Sequence, residues 1–391
     1  MTTWIAETDK KYVANTYGRF PIELVDGHGS IAIDSDGKEY IDLGSGIAVT
    51  SFGISDPDWI KAVTEQLGKI QHASNLYYTQ PCAELAKLIC ERTGMSKVFF
   101  GNSGAEANEC AIKVARKYGE DVLGRKNPVI VTLENGFHGR TLGTLAATGQ
   151  DVFHKDFQPL PEGFAYAPAN DIEATLAIAK DSDAVAIMIE CIQGEGGVNV
   201  LEQDYVKALA AYCEESDTLL LIDEVQTGNG RTGELYSYMH YGIKPDVFTT
   251  AKGLGGGLPI GACVMGEKVA DVFGPSDHGS TFGGNPVACA GAISILSRID
   301  ATLLDAIKLK GEYIRRKLEG AKGIQSVSGM GLMVGFVTDR PAKEIVNECI
   351  EEGVLCLTAK SKVRLIPALN IPMEKLEEAL EIIKEVCAKG L

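Results

Sequence analysis

Two apolar runs, residues 219–222 (LLLI) and 247–250 (VFTT), constrain the fold more than any other feature of this chain. Both have the length and the apolar, partly β-branched content of strands buried on both faces of a parallel sheet. Asp223 closes the first run and Lys252 follows the second. In an open parallel α/β sheet, ligands bind beyond the carboxyl ends of the strands, so an acid and an amine delivered there from neighbouring strands face one ligand. A strand-end salt bridge would give the same pair.

The surroundings favour a ligand. In AKGLGGG, residues 251–257, the lysine stands beside four glycines, where the backbone can approach a flat cofactor and no side chain competes for the amine. Pyridoxal phosphate needs both groups: an amine for a covalent link to its aldehyde, and a carboxylate that keeps the pyridine nitrogen protonated so the ring accepts electrons.

With 391 residues and no Ser/Pro linker, low-complexity tract or repeat, the chain is expected to form two intimately packed domains. Its 37 Lys+Arg against 53 Asp+Glu give a net charge of −16, which argues against nucleic acid or anionic membrane as partner. Anionic groups of a ligand must then be held by local donors. The ten cysteines form no C-x-x-C pair and no metal-ligand spacing with the six histidines, so no metal is expected. Their apolar contexts read as reduced core thiols. The opening MTTWIAETDKKY lacks an apolar signal region, and no run approaches a membrane span, so a cytoplasmic location is expected.

In chain order, residues 31–33 and 40–43 predict a hairpin around an SDG turn, and residues 44–49 a flexible apolar lip or a plain connecting loop. Apolar spacing predicts helices over 56–70 and 81–92. A strand at 98–100 feeds GNSGAEAN, in which Ser103 and Glu106 have the spacing of a capping box for a helix running to about residue 118. A strand, a glycine turn at Gly104 and a helix N-terminus make an anion site, although an ordinary capped helix reads the same way. The glycine codes of P-loops, dinucleotide folds and hydrolase elbows are absent.

Strands at 129–132 and 184–189 likewise end in functional groups. After the first, Phe137 suits stacking on a pyridine ring and Arg140 suits a bidentate carboxylate. After the second lies QGEGG with Glu195. HGSTFGGNP supplies the hydroxyls of Ser280 and Thr281. Helices expected at 302–319, 342–352 and 373–388, with strands near 331–337 and 363–366, describe a separate α+β lobe. Arg364, amid apolar neighbours, needs a structural acid or a substrate carboxylate.

The motifs NSGAEANE, FHGRT, IQGEGG, LLLIDEVQTGNGRTG, AKGLGGGLPIGA and HGSTFGGNP, in this order, resemble the class III, or ω-amino, aminotransferases over nearly the whole chain. The resemblance implies the type I fold of pyridoxal phosphate-dependent transferases: an α/β large domain with a mostly parallel central sheet flanked by helices, plus a smaller α+β domain. It implies an N-terminal segment (1–50) packing with the small domain, a large domain (51–280) and a C-terminal domain (281–391). It further implies that Lys252 links to pyridoxal 5'-phosphate, Asp223 pairs with the pyridinium, Gln226 reaches the ring hydroxyl and Phe137 stacks on the ring. Ser103, Gly104 and Ala105 would hold the phosphate, joined by Thr281 of the partner subunit in a homodimer with shared sites.

The implied reaction is transfer of an amino group from N-acetylornithine to 2-oxoglutarate, giving N-acetylglutamate 5-semialdehyde and glutamate by a ping-pong cycle in arginine biosynthesis. Arg140 would bind the distal carboxylate of N-acetylornithine and Arg364 the α-carboxylate of glutamate. Glu195 would mask Arg364 when the ω-amino donor is bound, and Ser280 would assist substrate binding.

Three departures from the family pattern stand out. Cys191 replaces a usual proline, the histidines of a G-H-x-H-P turn are missing from GISDP (residues 53–57), and Gly46-Ile47-Ala48 lacks the tyrosine associated with free ornithine. The last favours an N-acylated substrate. Succinylornithine, ornithine, 4-aminobutyrate and N-acylated lysine-pathway amines share the machinery and stay open. So do a mutase or decarboxylase on the same fold and a non-catalytic cofactor binder, though no DNA-reading helix-turn-helix precedes the domain.

Overall fold

The computed structural model describes residues 4–389, so the first three residues of the expected N-terminal segment lie outside it. Its centre is a seven-stranded sheet in the order Lys97–Gly101, Gly261–Met265, Val247–Thr250, Leu219–Asp223, Ala186–Ile189, Ile130–Leu133, Phe164–Ala167. Gly261–Met265 runs antiparallel to both its neighbours, and the other pairings are parallel. The sheet is α/β and mostly parallel, as expected.

Side-chain alternation explains why the apolar runs are continuous. Leu219 and Leu221 point to one face, where they pack with Cys110, Val114 and Tyr118 of the helix Gly104–Asp121. Leu220 and Ile222 point to the other, where they join Ala179, Val206 and Leu209 of the helices Ile172–Asp181 and Gln203–Glu215. With helices on both faces, none of the parallel strands carries a charged side chain before its end.

The C-terminal lobe is an antiparallel sheet, Ile324–Met330, Met333–Thr338, Lys362–Leu365 and Leu357–Ala359 in spatial order. The helices Ala301–Leu318, Ala342–Glu351 and Met373–Ala388 accompany it. A three-stranded N-terminal meander, Leu24–His28, Ile31–Asp34 and Glu39–Asp42, takes Val354–Leu355 of this lobe as a fourth, parallel strand. The helix Pro286–Arg298, beyond the expected boundary at 281, packs on Pro57–Leu67 and Gln80–Thr93.

Asp56 caps the helix Pro57–Leu67 by accepting from the Trp59 N–H at 3.3 Å. The stretch 44–49 differs from a flexible loop. Ser45, Gly46, Ile47 and Ala48 all have positive φ, between 46° and 63°, a left-handed turn that costs L residues roughly 1–2 kcal/mol each. Asp42 anchors it by accepting from the N–H groups of Gly44 and Ser45 at 2.8 and 2.9 Å.

Candidate active site

A cavity of about 420 Å³ opens at the carboxyl ends of the parallel strands. Asp223, from the end of Leu219–Asp223, and Lys252, just after Val247–Thr250, both line it, so the sheet brings the acid and the amine to one space. Lys252 sits at φ 44°, a conformation a side chain adopts only when its surroundings impose it. Its neighbours do so: a Cβ on Gly253 would meet Ser51 Oγ at 2.6 Å, and one on Gly255 would meet the Leu258 carbonyl oxygen at 2.1 Å. Burial pushes the Lys252 amine below its ordinary range, against the raising charges of Glu195, Asp223 and Glu190. An amine so placed is a better nucleophile and base at neutral pH than a free lysine.

Asp223 is 4% exposed and held by three neighbours. Its Oδ2 accepts from Asn108 Nδ2 at 2.7 Å and lies 2.8 Å from His138 Nδ1, while Oδ1 accepts from the Val225 N–H at 3.0 Å. Asn108 is itself fixed, since its Oδ1 accepts from Thr249 Oγ1 at 2.6 Å and its Nδ2 also donates to the His138 carbonyl at 2.7 Å. Sequence reading missed both partners. Asn108 stands one helical turn after Gly104, on the face of that helix turned to the sheet, and His138 follows Phe137 directly. Both signals were present but gain meaning only when the helix and the loop converge on Asp223.

Ser103, Gly104 and Ala105 also line the cavity, at the N-terminus of Gly104–Asp121. Ser103 Oγ accepts from the Glu106 N–H at 3.2 Å, while Glu106 Oε2 accepts from the Asn102 N–H at 2.8 Å, a reciprocal cap displaced by one residue. The first-turn N–H groups of Gly104 and Ala105 have no intrahelical acceptor and present partial positive charge to the cavity. A Cβ on Gly104 would lie 2.6 Å from Val225 Cγ1, so glycine lets this helix end approach the strand end that carries Asp223.

Phe137 and Arg140 also line the cavity. The exposed Arg140 guanidinium lies 5.6 Å from the Phe137 ring centroid and 4.6 Å from that of Phe153. Gln226 faces the cavity and links it to an ion pair whose arginine is buried. Arg364 Nη1 donates to Glu195 Oε1 at 2.7 Å and to Gln226 Oε1 at 2.9 Å, and Gln226 Nε2 donates to Glu195 Oε1 at 3.2 Å. Burial alone would raise the Glu195 pKa, but Arg364, together with Lys252 and Gln226, outweighs it and holds the carboxyl below its ordinary range.

Ser280 and Thr281 do not line the cavity of their own chain. Ser280 Oγ accepts from the Gly283 N–H at 2.9 Å and from Asn102 Nδ2 at 3.2 Å, and Thr281 is exposed. Beside them, Leu76, Tyr77, Tyr78 and Phe282 are exposed apolar side chains, and Asn75 ties the two segments together through the carbonyls of Ser280 and Gly283.

The Aminotransferase class-III family matches residues 12–387. Over 387 residues the chain is 47% identical to the acetylornithine aminotransferase of Haemophilus ducreyi, covering 98% of each. It is 48% identical to that of Caldanaerobacter subterraneus subsp. tengcongensis, covering 97% of this chain and 98% of the relative. Among solved structures, the ornithine aminotransferase of Toxoplasma gondii, whose active site holds PLP in partial occupancy, aligns with a TM-score of 0.94 at 30% identity, over 99% of this chain and 95% of that one. The acetylornithine aminotransferase of Elizabethkingia anophelis aligns with a TM-score of 0.87 at 31% identity, over 98% of both. By sequence, fold and the composition of its cavity, the chain belongs to the class III aminotransferases.

Proposed function

We propose that this enzyme transfers the terminal amino group of N-acetylornithine to 2-oxoglutarate with pyridoxal 5'-phosphate as cofactor, giving N-acetylglutamate 5-semialdehyde and glutamate, as a step of arginine biosynthesis. One observation carries the cofactor assignment: a buried amine, a carboxylate fixed by three donors and a helix N-terminus all line one cavity. Those groups fit the aldehyde, the ring nitrogen and the phosphate in turn. When bound, the cofactor supplies an aldehyde that carries the amino group and a ring that accepts electrons from the substrate carbon.

The chain's own residues do the rest. Asp223 would hold positive charge at the ring nitrogen, Phe137 would cover the ring, and Ser103, Gly104 and Ala105 would hold the phosphate. Gln226 would meet the ring hydroxyl. Lys252 Nζ, held below lysine's ordinary range, would take the proton from the amine-bearing carbon and deliver it two atoms away, to the carbon on the cofactor's side of the nitrogen. In a ping-pong cycle two donors use the site in turn. Arg140 receives the distal carboxylate of N-acetylornithine and Arg364 the α-carboxylate of glutamate, while Glu195 covers Arg364 when no α-carboxylate is present. That Glu195 and Arg364 pair at 2.7 Å supports this division.

Thr281 of the partner subunit completes the phosphate site in a homodimer, and Ser280 flanks it. This rests on the exposure of Thr281 outside its own cavity and on the apolar patch of Leu76, Tyr77, Tyr78 and Phe282 next to it. The ten unbridged thiols support a reducing, cytoplasmic setting, and no single helix among the described residues is long and apolar enough to cross a membrane.

The substrate assignment rests on the relatives' names and on Gly46-Ile47-Ala48, which offers no tyrosine to a free α-amine. Incubation with 2-oxoglutarate and each of N-acetylornithine, succinylornithine, ornithine and 4-aminobutyrate, followed by measurement of glutamate, tests it. Fastest turnover of any other amine overturns the substrate. Borohydride reduction followed by peptide mapping tests the cofactor link, and a label on a lysine other than Lys252 overturns it.

A further inference from the structure

Behind Asp223 lies a group that the reaction as described does not use. His138 is 2% exposed, and its Nε2 has no hydrogen-bond partner although Nδ1 is committed to Asp223 at 2.8 Å. An unpartnered buried ring nitrogen is costly, so its surroundings matter. Glu190, 7% exposed, stands on the same side: its Oε2 accepts from the Phe137 N–H at 2.9 Å and its Oε1 from the Gly194 N–H at 3.4 Å. The two border one small space, since the position a Cβ on Gly136 would occupy lies 3.4 Å from His138 Nε2 and 3.7 Å from Glu190 Oε2.

We propose that His138 is a positioning residue, doubly protonated between two carboxyl groups. Its Nδ1–H fixes Asp223 as an anion facing the cavity, and its Nε2–H turns to Glu190. This rests on the reading of Asp223 as the ring-nitrogen partner and adds what keeps that carboxylate charged and in place. The groups facing the cluster agree with it. Asp223 approaches from the end of Leu219–Asp223, Glu190 from the end of Ala186–Ile189 and the neutral Asn108 from the helix. Lys252 lines the same cavity, and Glu195 and Arg364 pair with each other.

Burial opposes a charge on His138, yet the hydrogen bond and charge of Asp223, with Glu190, raise its pKa overall. Burial lifts Glu190 to about 8, against the pull of the His138 charge. The two shifts are linked: charge on His138 lowers Glu190, and the charges of Asp223 and Glu190 raise His138, so a desolvated site favours opposite charges held together over any one of them alone. Glu190 also holds the Phe137 amide, so one carboxyl reaches both the ring-covering residue and, through His138, the ring-nitrogen partner.

The test is ¹⁵N NMR of selectively histidine-labelled protein without cofactor, with His138→Gln used to assign the signal. Both His138 ring nitrogens should remain protonated at pH 7.5, where exposed histidines have lost the second proton, and Glu190→Gln should move the His138 midpoint down by a unit or more. A singly protonated His138 ring at pH 7 would overturn the proposal, as would an unmoved midpoint in Glu190→Gln, which still accepts from the Phe137 amide. If that variant fails to fold, the wild-type titration decides. In holoenzyme, His138→Gln should shift the pH midpoint of the bound cofactor's visible band, and an unchanged midpoint counts against the proposal. A wild-type chain that binds no pyridoxal phosphate would sink the proposed function and leave the NMR result intact.

Discussion

Replacing Glu195 by alanine should destabilise the free enzyme and at the same time tighten its grip on dicarboxylates. The Arg364 side chain is 3% exposed, and Glu195 is its ion-pair partner among the described residues. Breaking a buried pair costs ~3–5 kcal/mol because a charge is left uncompensated. Glu195 is 33% exposed, so water reaches one side of the pair and the figure falls to about 2–3 kcal/mol. For a chain of this size that lowers Tm by roughly 2–6 °C. In wild type a dicarboxylate must displace Glu195 from Arg364, whereas in the variant it meets a bare guanidinium. The same free energy then appears as a gain in affinity of roughly 30- to 150-fold. Calorimetry with and without glutarate reads both effects, since ligand at 100 times its Kd restores about 2.7 kcal/mol. An unchanged Tm, together with glutarate stabilisation no greater than in wild type, would show that Arg364 does not depend on Glu195 and that the masking role is wrong.

Gly104→Ala puts a methyl 2.6 Å from Val225 Cγ1, an overpacking expected to cost ~1–3 kcal/mol by urea unfolding and to weaken cofactor binding in equilibrium dialysis. Wild-type stability should fall as pH rises from about 5 to 8: burial raises Glu190 to about 8, so its protonated form favours folding at low pH and that contribution is lost through this window. Glu190→Gln should flatten the decline by a few kcal/mol, and parallel slopes in the two proteins would contradict the assignment. Lys252→Ala should abolish turnover yet leave the melting temperature level or higher, because it removes a buried amine without opening a strand; a large fall in Tm would mean that the lysine also holds the fold.

Legibility in the sequence followed burial. Residues 373–388 were expected as a helix and are one, because a strong 3.6-residue apolar period leaves little choice. The strand ends carrying Asp223 and Lys252 were readable because an ionisable residue interrupts an apolar run there. The strand Leu24–His28 was not, since it lies at a sheet edge with four of its five residues exposed and carries no alternation. Ile324–Met330 was missed for a related reason: two successive exposed polar residues, Gln325 and Ser326, at a break in register hide the alternation. In the site, Asn108 and His138 escaped notice because their roles are set by the approach of distant segments to Asp223. The left-handed turn at 45–48 escaped because Ser, Ile and Ala announce no such backbone; it is imposed from outside by Asp42.

The pairing of Glu39–Asp42 with Val354–Leu355 also sets a timetable for the chain's synthesis. The meander leaves the ribosome early, but the strand that covers its open edge is made more than three hundred residues later, roughly 15–60 s at ordinary elongation rates. Throughout that interval the edge offers unpaired N–H and C=O groups to any extended segment nearby. A nascent chain interrupted before residue 354 is left with that edge open, which makes incomplete translation products the natural substrates for chaperone capture or aggregation.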